Sequence, residues 1–234
     1  MRCALFGKLA SKRDYVAVQA PRRFLDIWEP WIQSSMSASR QELGNAWQAA
    51  YLKAPIWRFW LGEDLCGTST IGAFMPSVDG VGRYFPLTVI ACAEEGEAIA
   101  PPESDPQAGW FAATEDFLLS TLDHGVTYEA IADGLARLVL PSVEQPEGTE
   151  DLVALSEGMI AFVAGERSFA DAFAAMRRAS PARACSASTF WWTIGGEGFR
   201  PAALSAHGMP DPFLFTEMLT GRFAFGLDNS PASV

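Results

Sequence analysis

Apolar residues recur at three- and four-residue spacing in some stretches and in unbroken or alternating runs in others, and the switches between the two periods divide the chain into elements. Residues 3–6 form a short apolar run that predicts a strand, followed by a Gly-Lys turn and a polar loop ending at Pro21. Phe24, Ile27, Trp28, Trp31 and Ile32 then follow the spacing of a helix with one buried face. Pro30 removes a backbone donor inside that pattern, so a kink or break is expected near it. A second helix carries Leu43, Trp47, Ala50 and Tyr51 on one side and stops before Pro55.

From Ile56 the pattern becomes strand-like. IWRFWL, STIGAFMP and FPLTVIACA, each bounded by turn residues, predict the central sheet. The last of them is apolar on both faces, as a strand covered by helices on either side should be. EEGEAIAPPESDP, acidic and proline-bearing, predicts a surface loop. Trp110, Phe111, Phe117, Leu118 and Leu122 mark one helix; Tyr128, Ile131, Ala132, Leu135, Leu138 and Val139 mark a second, which Pro141 ends. Beyond the acidic loop EQPEGTED, residues 151–162 read as a weaker helix. Ser168, with Asp171 three residues on, signs the start of another, with Phe169, Phe173 and Met176 as its stripe and Arg177 and Arg178 at its cation-favouring end. STFWWTIGG predicts a strand with Phe190, Trp192 and Ile194 on one face and Trp191 on the other. A short strand over 203–206 and a helix over 212–219, ended by Gly221, complete the pattern, and the tail beyond Leu227 is expected to be loose.

Strands before and after helical blocks imply an α/β fold, read as a three-layer α/β/α sandwich with a mixed central sheet and helices on both faces. With no internal repeat and no long linker, residues 1–234 are expected to form a single domain. Hydrophobic residues make up 49% of the chain and charged residues 19%, a globular balance that excludes overall disorder. The apolar run before Lys8 is too short for a secretory core, and nothing approaches the roughly eighteen apolar residues of a membrane span. A cytoplasmic protein with no direct membrane insertion is therefore expected. The four cysteines are far apart and include no CxxC pair, so they read as reduced thiols packed in or near the core.

The net charge of −11 is unevenly placed: residues 1–58 hold nine Lys and Arg against four Asp and Glu, and residues 59–234 hold eight against twenty-four. Such a field repels phosphate, which argues against nucleic acid and leaves a protein as the better partner.

Gly7-Lys8 after a strand has the look of a phosphate loop, but the upstream glycine is missing and Leu9 stands where Ser or Thr would reach the metal. His124 and His207 have no second ligand at helical spacing, so no metal is expected. No GxSxG elbow accompanies them. The polar side chains form no recognisable catalytic set, and a non-enzyme requiring no cofactor is expected. GAFMPSVDGVGRYFPLTV is the most unusual segment: it sets Asp79, Arg83 and Tyr84 among prolines and glycines between two strands. Open α/β sheets bind ligands at such ends, whereas an Asp-Arg pair can equally hold the loop in shape. The rival functional reading is an enzyme or sensor that binds a phosphorylated or nucleotide ligand there, which requires a deep pocket with convergent polar groups. The tryptophans, by their periodicity, are mostly core, with one or two left for a partner.

LFGKLASKRDYV, FLDIWEPWIQ, AYLKAPIWRFWL and above all MPSVDGVGRYFPLTV, in this order and spacing, resemble the TagF accessory proteins of bacterial type VI secretion systems. STFWWTIGG and GMPDPFLFTEML are similar to that family's C-terminal half. The resemblance implies a non-catalytic, post-translational negative regulator of secretion-system assembly. It implies as partner the forkhead-associated scaffold protein or another component of the apparatus. Lys8, Asp14, Arg58, Asp79, Arg83 and Tyr84 are the residues expected to form the partner-binding surface.

Overall fold

The computed structural model describes residues 1–123, 125–144, 152–156, 159–162 and 169–223. In chain order its elements are β1 (Cys3–Gly7), β2 (Val16–Val18), α1 (Arg22–Leu43), α2 (Trp47–Lys53), β3 (Trp57–Leu61), α3 (Glu63–Cys66), β4 (Thr70–Met75), β5 (Leu87–Cys92), α4 (Ala108–Ser120) and α5 (Tyr128–Ala136). There follow β6 (Leu152–Ser156), β7 (Met159–Phe162), α6 (Phe169–Ala179), α7 (Pro181–Ala184), β8 (Ser188–Thr193), β9 (Ala202–His207) and α8 (Leu214–Thr220). Seven strands form one sheet in the order β2-β1-β5-β4-β3-β8-β9, while β6 and β7 pair as a separate hairpin.

Every pairing in the large sheet is antiparallel, which corrects the expected mixed sheet. Parallel neighbours need a crossover connection, but β3 to β4, β4 to β5 and β8 to β9 are each joined without one. The fold is nonetheless a combination of helices and sheet, with helical side chains in two distinct core clusters. Along β3, Trp57, Phe59 and Leu61 join a cluster with Phe24, Trp28 and Ile32 of α1, Tyr51 of α2 and Met218 of α8. Trp60, between them, joins the other with Trp110, Phe111 and Leu118 of α4 and Ile131 and Leu135 of α5. The two-residue period of a strand sends alternate side chains into different clusters, and burial of β1, β4 and all of β5 but the half-buried Cys92 follows from cover on both faces.

The first cluster is an aromatic stack. Trp28 lies 4.7 Å from Phe59 and 5.1 Å from Trp31, ring centre to ring centre, and Trp191 lies 4.8 Å from Trp31 and 5.2 Å from Phe59. Indole N–H groups tie the C-terminal segment to it: Trp31 Nε1 donates to the Pro210 carbonyl at 2.9 Å and Trp57 Nε1 to that of Met218 at 3.0 Å. All eight tryptophans but Trp192 are buried, and Trp192 is half-buried.

Several expectations are revised. α1 runs without interruption across Pro30; the proline's cost, about 3 kcal/mol in a helix interior, is opposed by complete burial of Trp28 and Ile32 on either side. The polar loop before Pro21 contains the three-residue β2. The acidic loop after β5 is partly internal: Ile99 is fully buried, its carbonyl accepting from Trp60 Nε1 and its N–H donating to Ser69 Oγ. In place of a helix over 151–162 stands the β6-β7 hairpin; a Gly-bearing pair between two apolar runs is a hairpin signal. On α6, Phe173 is exposed rather than part of a buried stripe. His124, Ser168 and the tail beyond Leu227 lie outside the described residues. The four cysteines are free thiols. Among the described residues no helix is long and apolar enough to cross a membrane.

Strand parity gives a direct test. Trp191→Ala should cost about 3–5 kcal/mol in urea denaturation, as large-to-small changes in a packed core do. Ile194→Ala, just past the end of the same strand at 61% exposure, should change stability by no more than about 0.5 kcal/mol. Similar losses at the two positions would contradict the assigned register.

Candidate functional site

The site is built where β1 ends against the start of β5. Gly7 sits at φ 137°, and a Cβ there would stand 2.1 Å from the Pro86 carbonyl oxygen, so only glycine permits the approach. The chain then turns so that the Lys8 carbonyl accepts a hydrogen bond from Ser77 Oγ at 2.7 Å. Ser77 is pinned from the other side by Tyr51 of α2, whose hydroxyl accepts from the Ser77 N–H at 3.1 Å and donates to its carbonyl at 3.2 Å. The Gly80 N–H donates to the Lys12 carbonyl at 3.2 Å. Two loops, 8–15 and 76–84, are thereby stitched into one structure at the end of the sheet.

Asp79 is the centre of the stitch. Its Oδ2 pairs with the Lys8 ammonium and accepts from Arg83 Nε at 2.7 Å, and its Oδ1 accepts from the backbone N–H groups of Val81 at 3.0 Å and Arg83 at 2.9 Å. The side chains of Asp79 and Lys8 are 0% and 4% exposed, whereas that of Arg83 is 55% exposed. Arg83 also donates to the Arg13 carbonyl, so it spans both loops. Burial by itself would raise the Asp79 pKa. The bonds from Lys8, from the backbone and side chain of Arg83, and from the Val81 N–H outweigh it and hold the carboxyl well below the ordinary carboxylate range. A carboxylate committed to four donors is a brace at neutral pH, without a free lone pair aimed at a substrate.

The sequence-predicted residues divide accordingly. Lys8, Asp79, Arg83 and Tyr84 come together; Asp14 stands exposed on the first loop. Tyr84 is half-buried, its ring edge-on to Trp47 at 5.4 Å and Tyr51 at 5.6 Å. Arg58 belongs elsewhere. β5 and β4 separate its strand from β1, and its Nε donates to Glu115 Oε1 of α4 at 2.6 Å, with the guanidinium 5.2 Å from the Phe111 ring centre. Lys8 and Asp79 are buried and so cannot meet a partner directly, which leaves Arg83 as the outward part of the brace. The Lys8 ammonium is committed to Asp79 and lies 4.7 Å from the Tyr15 ring centre, so it is not presented to a phosphate.

Sequence reasoning missed Tyr15, Ser77 and the hydroxyl of Tyr51. The signal for the last is a tyrosine, not a phenylalanine, on a buried helix face, since a buried hydroxyl needs a partner. It also missed a groove of about 380 Å³ beside the stitched loops, lined by apolar residues of α2, the end of β4 and the end of α4. Among the described residues no group of three or more His, Cys, Asp or Glu side chains is placed to hold a metal ion.

Comparison with known proteins places these loops within a recognised region. The TagF N-terminal domain, described as type VI secretion system-associated, matches residues 4–138. The crystal structure of PA0076 from Pseudomonas aeruginosa PAO1 is similar, with a TM-score of 0.76 and 33% sequence identity over 94% of this chain and 95% of that one. No curated protein matches the chain.

The brace has a signature in acid. Because the Asp79 pKa is lowered on folding, its contribution to stability is complete above the ordinary value of 3.8 and is lost only as pH falls through the lower folded value. Asp79→Asn should therefore melt below the wild type by an amount constant from about pH 7 to 5 and shrinking below 3.8. A gap that already closes between those two higher pH values would refute the brace. Lys8→Ala should destabilise more than Arg83→Ala: both leave the buried Asp79 carboxylate with one cation fewer, but water can reach the place of the half-exposed Arg83 and not that of the buried Lys8.

Proposed function

The chain belongs to the type VI secretion-associated family defined by the TagF N-terminal domain, and from that premise we propose that it is a non-catalytic accessory protein that restrains assembly of the secretion apparatus after translation. It acts by binding a component of that apparatus in the cytoplasm, the forkhead-associated scaffold protein being the partner implied by the TagF resemblance. The observation that carries this reading is the extent of the likeness: the family match spans both stitched loops, and the similarity to PA0076 runs on through the C-terminal strands and α8. The geometry supports binding over turnover, because the ionised side chains at the end of the sheet are consumed by each other. Side chains from α1, α2 and α8 in one cluster and from α4 and α5 in the other support a three-layer reading of the fold, which presents a stiff platform for recognition.

Export of the tube protein by the native bacterium tests the proposal. Raised expression of the chain should depress export and deletion of its gene should increase it, with transcript levels of the apparatus unchanged. Export indifferent to both manipulations would end the regulatory reading.

A further inference from the structure

The groove beside the brace draws its lining from separate elements. Leu52 of α2, Leu119 of α4 and Leu122 just past the end of α4 line it together with Ile56, Met75 and Val78. Leu52 and Leu119 are each 52% exposed and Leu122 is 49% exposed. Single exposed leucines are ordinary, but three around one concavity form the kind of contiguous apolar patch that marks an interaction site.

What fills it follows from the backbone and the charges. The end of β4 contributes Met75 to the groove, and β4 is paired with β3 on one side and β5 on the other, so no strand edge is open there for an added strand. An occupant must enter with side chains, and a ridge of helical side chains into a groove is the mode that fits. The segments that make the groove and its margins, 8–14, 52–54, 76–84 and 119–123, carry Lys8, Lys12, Arg13, Lys53 and Arg83 against Asp14, Asp79 and Asp123. Asp79 is neutralised internally, and Lys12, Arg13 and Lys53 are exposed. These segments are thus net basic within a chain of net charge −11. We propose that the groove is the docking site for an acidic amphipathic helix of a protein partner. Apolar side chains at i, i+3 or i+4, and i+7 seat among Leu52, Leu119 and Leu122, and carboxylates at the helix margins meet Lys12, Arg13 and Lys53. An anionic bilayer offers the same two attractions, but it takes up apolar side chains that protrude, and these line a concavity.

This inference rests on the reading of the chain as a protein-binding regulator and names the chemistry of what it binds. To test it, the purified full chain is panned against a displayed library of helical peptides with randomised surface positions. Recovered peptides should be acidic with an apolar stripe at helical spacing. A synthetic peptide of the recovered consensus should bind the wild type at least about tenfold more tightly than Leu52→Glu or the Leu119→Glu/Leu122→Glu double variant. Lys12→Glu/Lys53→Glu, which leaves the apolar lining intact, should weaken it several-fold and flatten its salt dependence. Recovery of no peptide, of basic peptides, or of peptides that bind all variants equally would overturn the proposal. So would leucine-dependent binding to phosphatidylglycerol-containing vesicles without such a peptide. In the export assay, a folded double-leucine variant that still represses fully would remove the groove and leave the regulator standing. A wild type without effect on export would remove the reading on which the groove depends.

Discussion

A sheet covered on both faces cannot hold ionised side chains in its middle strands without partners, because taking a charge out of water costs far more than any single contact returns. β1, β5 and β4 obey this: their side chains, the half-buried Cys92 apart, are buried on both faces and none is charged. β3 breaks it once, at Arg58, and α4 answers with Glu115 while the Phe111 ring flanks the guanidinium. The remaining polar chemistry is driven to the end of the sheet, where chain reversals bring backbone donors and side chains together. Position in the fold, more than residue type, decides that Arg58 is a core pair and Arg83 a surface group.

At that end the Asp79 carboxylate does for the loops what the aromatic stack does for the helices. Three of its four bonds, from Val81 and Arg83, close its own loop, while the Lys8 pair, together with the bond from Arg83 to the Arg13 carbonyl, fixes that loop relative to the other. A buried ion pair of this kind contributes more to a single loop arrangement than to net stability, since desolvation offsets much of the attraction. Its consequence is positional: Ser77 is held between Lys8 and Tyr51, and Val78 beside it becomes part of the groove. The brace and the groove are one construction, in which the charged part is inward and saturated and the apolar part is left open.

How much of this the chain discloses in one dimension depends on the range of the forces. Elements whose apolar period was long and regular, such as α1 and the strands from Trp57 to Cys92, were legible, as were the alternate faces of Trp191 and Trp192. Strand direction was not, because pairing direction depends on connections that periodicity does not encode. Pro30 misled because local propensity was weighed without the burial of Trp28 and Ile32 that overrides it. The pairing of Asp79 with Arg83 was readable at four residues' separation. Lys8, 71 residues from Asp79, was readable only through a separate segment of the same family resemblance, with no sign that its ammonium would be buried. The groove was hidden altogether, since Leu122 looks the same in sequence whether it packs inward or lines a cleft.

The region matched by the TagF N-terminal domain does not complete its own sheet. Residues 4–138 supply β2, β1, β5, β4 and β3, and β8 and β9 continue the sheet from β3. Trp191 of β8 then enters the aromatic stack between Trp31 and Phe59, and α8 packs on α1 and α2 beneath the Trp57 indole. Yet the residues that build the brace and the groove, from Lys8 to Leu122, all lie before position 138. The two halves of the chain therefore divide the labour: the C-terminal strands and α8 close the core, so that the hydrophobic burial on which folding depends is shared across the whole sequence. The brace and the groove lie together in the region that the family model matches, next to the loops that hold them in register.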